Sequence, residues 1–175
     1  MKKIILGLLT ALAIVALGSC SEETLDYNNP DVKLFVKQLK AGTYNTKNPL
    51  GIVEVPLFDR EDIPELLRYS GDLTKIASFP PPSISSYGGG EARLGECMLW
   101  IVETTRIGQF ASLGCKLVYA DADNYEGIYF LSDEEVLEVS ALYQKWWEKV
   151  EAPPPYSSVN PYTADPLWNS NYRWW

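Results

Sequence analysis

The chain has 175 residues, with 15 basic and 23 acidic side chains and a formal charge of −8 at pH 7. An acidic chain without a Lys/Arg cluster repels phosphate backbones, so we expect no nucleic-acid partner. Histidine is absent, which removes the usual general base and the commonest metal ligand. We therefore expect a protein that is not an enzyme, with no catalytic residue, no metal site and no cofactor.

The first twenty residues predict a bacterial lipoprotein signal peptide. Two lysines near the start are followed by about fourteen mostly apolar residues, fewer than the ~20 that span a bilayer. Leu17-Gly18-Ser19-Cys20 resembles the lipobox, whose cysteine receives a diacylglycerol and becomes the new N-terminus. We expect residues 1–19 to be removed and the cysteine at position 20 to hold the protein on a membrane through its lipid. The alternative is an ordinary cleaved signal peptide with a chance cysteine.

Ser21, Glu22 and Glu23 come directly after this cysteine. They resemble the export signal that sends lipoproteins of the Bacteroidetes to the cell surface, so we expect an outer-membrane lipoprotein displayed at the surface. A solvated linker would look the same, which leaves the periplasmic face as the alternative location. Residues 20–28 as a whole are polar and acidic and predict a tether.

The mature chain has the length of one domain. Without the two lysines of the signal peptide, 13 basic residues stand against 23 acidic ones, a formal charge of −10. The 6 Trp and 11 Tyr leave ample material for a core. We expect a helical domain over residues 29–152 and a Pro/aromatic C-terminal arm over residues 153–175.

The first helix of this domain is predicted to begin at Asn29-Pro30-Asp31, with the asparagine as cap and the proline at the first helical position. Its apolar side chains recur at the spacing of one helical face, and a glycine at position 42 ends it. Residues 43–60 show no helical period, and Pro56 favours an extended buried connection over a strand. The buried face of the first helix is predicted to be Val32, Phe35, Val36 and Leu39.

A second, shorter helix is predicted from Asp62-Ile63-Pro64-Glu65, with Asp as cap and Glu three residues later. We expect one or two further helical turns through Leu73, Ile76 and Phe79. The following Pro-rich and Gly-rich segment, residues 79–90, is predicted to be a loop that reverses the chain. The buried side of the second helix is predicted to be Ile63, Leu66 and Leu67.

Residues 91–108 predict the helix around which the domain folds. Its apolar side chains cover most of the circumference, so it must be surrounded on several sides. The charged side chains are expected to form one narrow polar strip. They are Glu91, Arg93, Glu96, Glu103 and Arg106.

Two cysteines remain in the mature chain besides the one at position 20. Cys97 lies on the apolar face of the central helix, and Cys115 follows it. An oxidising compartment would permit a disulfide between them, closing a loop of about 19 residues and stabilising by ~3 kcal/mol. The alternative is a pair of buried reduced thiols.

Three further segments complete the domain. Residues 116–120 form a short apolar run that is either a strand or the end of a helix. Residues 121–127 resemble a calcium loop, but Tyr125 and Ser132 occupy positions that need ligands, so a solvated acidic loop is expected. Ser132-Asp133-Glu134-Glu135 is a capping box that starts a helix running to about Val150.

Six aromatic residues lie in the last twenty residues among Asn, Ser and Pro. One interpretation is an extended arm whose rings pack back onto the helices. The other is an exposed aromatic platform that stacks on sugar rings. The predicted glycan or partner contacts are Trp168, Tyr172, Trp174 and Trp175.

Catalytic motifs are absent: the sequence has no G-x-S-x-G elbow, phosphate loop or dinucleotide fingerprint. Carboxylate pairs such as Asp59 with Asp62, or Glu103 with a partner, would suit glycosidase chemistry only at a catalytic separation. The fold class is mainly α: a small bundle of about four helices with irregular, Pro-rich connections and an extended aromatic C-terminal arm.

Two stretches carry a family resemblance: residues 62–69, DIPELLRY, and residues 93–100, RLGECMLW, with Glu103 and Arg106. With Phe79-Pro80 and Ser85-Ser86-Tyr87, they resemble a group of small Bacteroidales lipoproteins of unknown function. The resemblance implies a gut-type Bacteroidetes source and a helical domain, with no activity to carry over. We therefore expect a non-catalytic envelope protein with a binding or structural role, and as the alternative a surface glycan-binding lipoprotein.

Overall fold

A computed structural model describes residues 23–80, 92–121, 130–153 and 160–175. These residues form four α-helices and two small antiparallel sheets, so the predicted mainly α fold is confirmed. The predicted signal peptide, Cys20, Ser21 and Glu22 lie outside the described residues. The elements are α1 (Val32–Ala41), α2 (Ile63–Arg68), β1 (Lys75–Ile76), β2 (Ala92–Arg93), α3 (Leu94–Ile107), β3 (Leu117–Tyr119), α4 (Asp133–Glu151) and β4 (Tyr172–Trp174).

Helix α3 is the centre of the molecule, as its apolar circumference predicts. Its residues from Leu94 to Glu103 are all buried, and it packs against α2 and α4. It begins at Leu94, three residues later than predicted, because Ala92 and Arg93 pair with Ile76 and Lys75 in the β1–β2 sheet. The predicted polar strip is wrong for Glu96 and Glu103, which are buried.

Helix α1 buries the four apolar side chains that its period predicts. The predicted cap is wrong by two residues. Asp31 is the N-cap, and its Oδ1 accepts the amide of Leu34 at 2.8 Å. Gly42 ends the helix as predicted, with the positive φ of 67° that glycine adopts without strain.

The segment between α1 and α2 is extended, but the predicted burial is wrong for much of it. Ile52, Val53 and Leu57 are exposed by 40 to 56%. Its large apolar residues that pack against the core are Tyr44, Val55 and Phe58. Pro56 is buried, whereas several neighbouring side chains of this extended segment face solvent.

Helix α2 follows a 3-10 turn, Arg60–Asp62, that the sequence pattern did not predict. Asp59 caps this turn, while Asp62 makes no side-chain cap bond to α2. The helical turns predicted after α2 are wrong, because Ile76 lies in β1 and pairs with β2. A spacing of three between apolar residues fits an irregular segment as well as a helix when the run is this short.

Helix α4 begins at the predicted capping box, in which Ser132 and Glu135 bind each other's backbone amides. Its buried face includes Val136, Val139 and Tyr143, as predicted. At its end Trp146 is buried, while Trp147 is only partly buried.

The C-terminal arm is not merely extended, since it ends as a strand. In the β3–β4 sheet, Leu117 pairs with Trp174, Val118 with Arg173 and Tyr119 with Tyr172. The last amide, that of Trp175, donates to the carbonyl of Lys116 at 3.0 Å. The end of the chain therefore returns to the strand that follows the central helix.

Candidate binding surfaces

A cleft of about 600 Å³ lies beside the C-terminal half of α3. One wall is α3 and the residues just after it, and the other is the extended segment before α2. Most of the lining is apolar or aromatic, with a few charged groups in the lining as well. We call this the α3 cleft; its lining includes Glu54, Val55, Leu57, Asp59, Arg60, Trp100, Ile101, Thr104, Phe110 and Tyr162.

The aromatic wall of the α3 cleft is built by the turn that ends α3. Gly108 adopts a φ of 70° and reverses the chain. This turn places the ring of Phe110 over Trp100, with ring centroids 6.0 Å apart and planes at 16°. The indole Nε1 of Trp100 donates to the Oγ of Ser112 at 3.2 Å, which fixes the orientation of the buried ring. Phe110 itself is 45% exposed, so the wall opens to solvent.

The charged groups of the α3 cleft are held by neighbouring residues. The guanidinium of Arg60 lies over the ring of Tyr162, 4.7 Å from its centroid. The Glu54 carboxylate accepts hydrogen bonds from Asn48 Nδ2 at 2.7 Å and from Tyr27 Oη at 3.4 Å. Burial and this carboxylate raise the pKa of Tyr27, which keeps its phenol a donor.

The candidate carboxylate pair Asp59 and Asp62 is engaged in a backbone cap. Asp59 Oδ1 accepts the amide of Glu61 at 2.7 Å, and Asp62 Oδ2 accepts the amide of Asp59 at 2.9 Å. Burial raises the pKa of Asp62, opposed by the hydrogen bond from the Asp59 amide. Both carboxylates therefore stabilise the start of the 3-10 turn by accepting backbone amides.

The second candidate carboxylate, Glu103, is buried with a cation. Arg106 donates to it through Nε at 2.8 Å and Nη2 at 2.5 Å, and the Tyr143 phenol donates to it at 2.9 Å. The indole of Trp174 in turn donates to Tyr143 Oη at 2.9 Å. Burial opposes the charge of Arg106, but Glu103 raises its pKa overall. This network joins α3, α4 and β4, and it holds the Glu103 carboxyl group against the Arg106 guanidinium.

Glu96 is the other buried carboxylate of α3. Its Oε1 accepts the amide of Leu117 at 2.7 Å, and its Oε2 lies 3.5 Å from Lys116 Nζ and 3.6 Å from Arg93 Nη1. The two cations and the amide compensate the cost of burying this charge.

Cys97 and Cys115 are both free, buried thiols in this structure. The Cys115 thiol donates to the carbonyl of Glu96 at 3.8 Å. Burial and a hydrogen bond with Cys97 raise the pKa of Cys115 well above its ordinary value. The structure therefore brings the two predicted cysteines together, and the disulfide between them stays a prediction.

The four aromatic residues predicted as contacts do not form a common platform. Tyr172 and Trp174 are partly buried against the core through the β3–β4 sheet, and Trp175 is also partly buried. Trp168 alone among the four is exposed, by 76%. It lines a groove of about 510 Å³ beside α4, together with Lys145 and Lys149. We call this the Trp168 groove.

The remaining sequence-predicted site residue within the described ranges is Glu23. Its carboxylate binds Lys37 Nζ at 2.9 Å on the surface of α1. The described residues contain no group of three or more Cys, Asp or Glu side chains placed to hold a metal ion. Nor do the described helices include one with the length and apolarity to cross a membrane.

Sequence reasoning missed the residues that form the two surfaces, apart from Trp168. Arg60 and Phe110 are far apart in sequence and line one cleft only because both of their segments pack beside α3. Lys145 and Lys149 are four residues apart on a helix, a spacing that could have indicated a shared face. Nothing in the sequence pairs these lysines with Trp168.

Comparison with known proteins assigns the family. The model of a domain of unknown function, DUF4943, matches residues 26–175, and the chain belongs to this family. The match covers all four helices and the C-terminal strand. No curated protein and no solved structure matches the chain. The expected membership of a family of unknown function is confirmed.

Proposed function

We propose that this member of the DUF4943 family is a lipid-anchored envelope protein that acts by binding a partner protein and not by catalysis. The anchor rests on the resemblance of residues 17–20 to a lipobox, with Cys20 as the acylated residue. The domain that follows the tether is compact around α3 and carries the α3 cleft on its surface.

The observation that carries the binding role is the chemistry of the α3 cleft. Its lining is dominated by aromatic and aliphatic side chains with a small number of charged groups, which is the usual composition of a binding pocket. The carboxylates of Glu54 and Asp59 already accept hydrogen bonds from neighbouring groups. Carboxylates that already accept hydrogen bonds within the protein favour a role of the cleft in recognition over a role in proton transfer.

A polypeptide segment with bulky apolar side chains fits the α3 cleft. Apolar exposure does not stop at the cleft wall, because Leu50, Ile52 and Val53 continue it along the extended segment and are 40 to 82% exposed. An apolar strip that leads into an aromatic-walled cleft marks a protein contact surface. The ring of Phe110, at the open edge, would be covered by the partner.

Photo-crosslinking tests this proposal. Benzoylphenylalanine replaces Phe110 in one variant and Phe130 in the other, since the two rings are 45% and 43% exposed and only the first lines the cleft. We expect a discrete crosslinked protein adduct in native envelopes from position 110 and none from position 130. No adduct at position 110, or the same adducts from both positions, would contradict a binding role for the cleft.

The anchor has a test of its own. Mass spectrometry of the purified protein is expected to find a diacylglyceryl group on an N-terminal Cys20 and to lose it in Cys20→Ser. The matched control is Cys97→Ser, a second cysteine of the same chain, which is expected to keep the lipid. An unlipidated mature N-terminus in the parent protein would rule out the anchor.

Surface display is the location that we propose, with Ser21, Glu22 and Glu23 as the export signal. Protease added to intact cells is expected to degrade the domain, and replacement of both glutamates by glutamine is expected to protect it. Degradation only after the outer membrane has been opened would instead place the protein at the periplasmic face.

A second candidate function is saccharide binding at the cell surface. The specific observation in its favour is the indole of Trp168, which is 76% exposed beside a groove. Flat aromatic faces stack on the apolar faces of sugar rings. Because Tyr172 and Trp174 pack on the core, saccharide binding would depend on the Trp168 ring and the residues around it.

A further inference from the structure

The Trp168 groove lies between α4 and the turn at residues 166–169. Its volume is about 510 Å³. Leu142 and Trp146 contribute apolar surface from α4, and Pro166 contributes it from the turn. The indole of Trp168 forms the exposed wall. The groove therefore offers a flat ring above an apolar floor.

The backbone at Trp168 is fixed by the turn that carries it. Asp165 Oδ1 accepts the amide of Leu167 at 2.8 Å, and the Asp165 carbonyl accepts the amide of Trp168 at 3.2 Å. Leu167 is 7% exposed and anchors the turn in the core. Because the backbone of this turn is already ordered, ligand binding has only the side chain of Trp168 to order.

The charged wall of the groove comes from α4. Lys145 and Lys149 are exposed and lie four residues apart on one helical face. Like charges at this spacing repel and destabilise a helix slightly. The opposing charge in the lining is Asp165, whose carboxylate is engaged with the turn amide and acts on the nearby Arg106. Two ammonium groups stand against one carboxylate that is already hydrogen-bonded, so the groove attracts an anion. This local balance contrasts with the formal charge of −10 on the mature chain.

A second groove of about 360 Å³ continues from the first. Leu142 and Lys145 line both, so the two are adjacent on α4. The second one adds the amide side chains of Asn169 and Asn171, both exposed. It also adds the carboxylate of Glu138, which accepts a hydrogen bond from the Tyr172 hydroxyl at 2.5 Å. Primary amides donate to and accept from hydroxyl groups at once, which suits a polyhydroxylated ligand.

These observations lead to one ligand class, and they rest on the second candidate function above. We propose that the Trp168 groove binds an acidic saccharide: the indole stacks on the apolar face of a sugar ring, and Lys145 and Lys149 pair with its carboxylate. The asparagines of the adjoining groove bind hydroxyls of the next ring. The charge selects uronate-type sugars over neutral ones, and the exposed indole selects a ring over a simple anion.

Calorimetric titration of the mature protein tests this assignment with tetragalacturonate, neutral cellotetraose and adenosine monophosphate as probes. We expect tetragalacturonate to bind about tenfold more tightly than cellotetraose at about 50 mM salt, and this advantage to shrink at about 300 mM salt. Trp168→Ala and the double variant Lys145→Gln/Lys149→Gln are each expected to weaken tetragalacturonate binding about tenfold.

Matched variants exclude indirect effects. Lys33→Gln/Lys47→Gln makes the same charge change at two exposed lysines outside both grooves and is expected to leave affinity unchanged. Trp168→Phe keeps a flat ring and is expected to retain most of the affinity. Thermal melts establish that each variant is folded.

The outcomes separate the two claims. Equal affinity for cellotetraose, with no effect of the lysine changes, would overturn the acidic ligand class while saccharide binding stood. Binding of neither oligosaccharide would overturn both. Tighter binding of the nucleotide, dependent on Trp168, would assign the groove to another ligand class and overturn the proposal.

Discussion

Two glutamates of α3 show how a helix that is apolar around most of its circumference accommodates charge. Glu96 and Glu103 are buried, and each has a cation and a further hydrogen-bond donor within reach. A buried carboxylate without such partners would be very costly, because transfer from water removes its hydration. The hydrogen-bond donors Leu117 and Tyr143 belong to β3 and α4, so the two carboxylates help to fix how these elements meet α3.

Removal of the charge at position 103 tests this view. Glu103→Gln leaves the Arg106 guanidinium, whose side chain is 9% exposed, without its counter-ion. We expect the free energy of unfolding to fall by about 3 kcal/mol, since breaking a buried pair leaves an uncompensated charge. Urea denaturation measures it. The control is Glu65→Gln, which breaks an i,i+3 pair with an Arg68 that is 71% exposed, and we expect a loss under about 0.5 kcal/mol. Similar losses in the two variants would contradict the argument.

Tyr172 contributes to the dependence of the unfolding free energy on pH in alkaline solution. A hydrogen bond to Glu138, with burial and the charge of that carboxylate, raises its pKa from 10.0 to about 12. The folded state therefore holds this proton more tightly than the unfolded state, so the contribution is complete below pH 10 and is lost as pH rises towards 12. Unfolding free energies measured between these values are expected to fall less steeply in Tyr172→Phe than in the parent. Parallel slopes would show that Tyr172 does not contribute.

At the scale of elements, the sequence predicts those that local chemistry determines. Helix α4 has a capping box followed by a regular apolar period, and the structure reproduces both. The prediction of a helical turn fails at Ile76. This residue is in a strand because it pairs with Ala92, and no local sequence pattern reveals that partner. Burial of Ile52 and Val53 fails for the same reason, since composition cannot say whether another element covers them.

Gly95 in α3 lies so close to the backbone of a neighbouring segment that tertiary packing limits which residue can replace it. Glycine within a helix is ordinarily replaced by alanine with a gain of about 0.5–1 kcal/mol. Here a Cβ would lie 2.3 Å from the backbone oxygen of Ser70, so the backbone of α3 or of the segment after α2 would have to shift. We expect Gly95→Ala to lower the free energy of unfolding by about 1–3 kcal/mol in urea titrations.

The matched change is Gly71→Ala, in the segment that Gly95 approaches. A Cβ there meets nothing nearer than 3.4 Å, so we expect a change within about 0.5 kcal/mol. A stabilising effect at Gly95 would show that the close packing of α3 against residue 70 is not maintained in solution.

At the scale of the whole molecule, the sequence names single contacts such as Trp168 but does not predict the surfaces to which they belong. The α3 cleft takes its lining from the segments before α2, within and after α3, and from Tyr162 in the arm. Each segment has an unremarkable sequence, and only the packing of the helices brings them together. The arm itself was predicted as an aromatic segment, but its division into packed and exposed rings depends on the pairing of β3 with β4.

The difference between packed and exposed rings in the arm gives a prediction about which tryptophan stabilises the fold. Trp174 lies in β4 beside Leu117, and its indole bonds to the buried Tyr143, whereas Trp168 is 76% exposed. Trp174→Ala removes packing and a donor from the network that joins α3, α4 and the end of the chain. We expect it to lower the free energy of unfolding by about 2 kcal/mol, less than for a fully buried Trp. Trp168→Ala, the same change six residues earlier, is expected to alter it by under about 0.5 kcal/mol. Denaturation of the two variants side by side separates a ring that holds the fold from a ring that is free to bind, and equal losses would place both in the core.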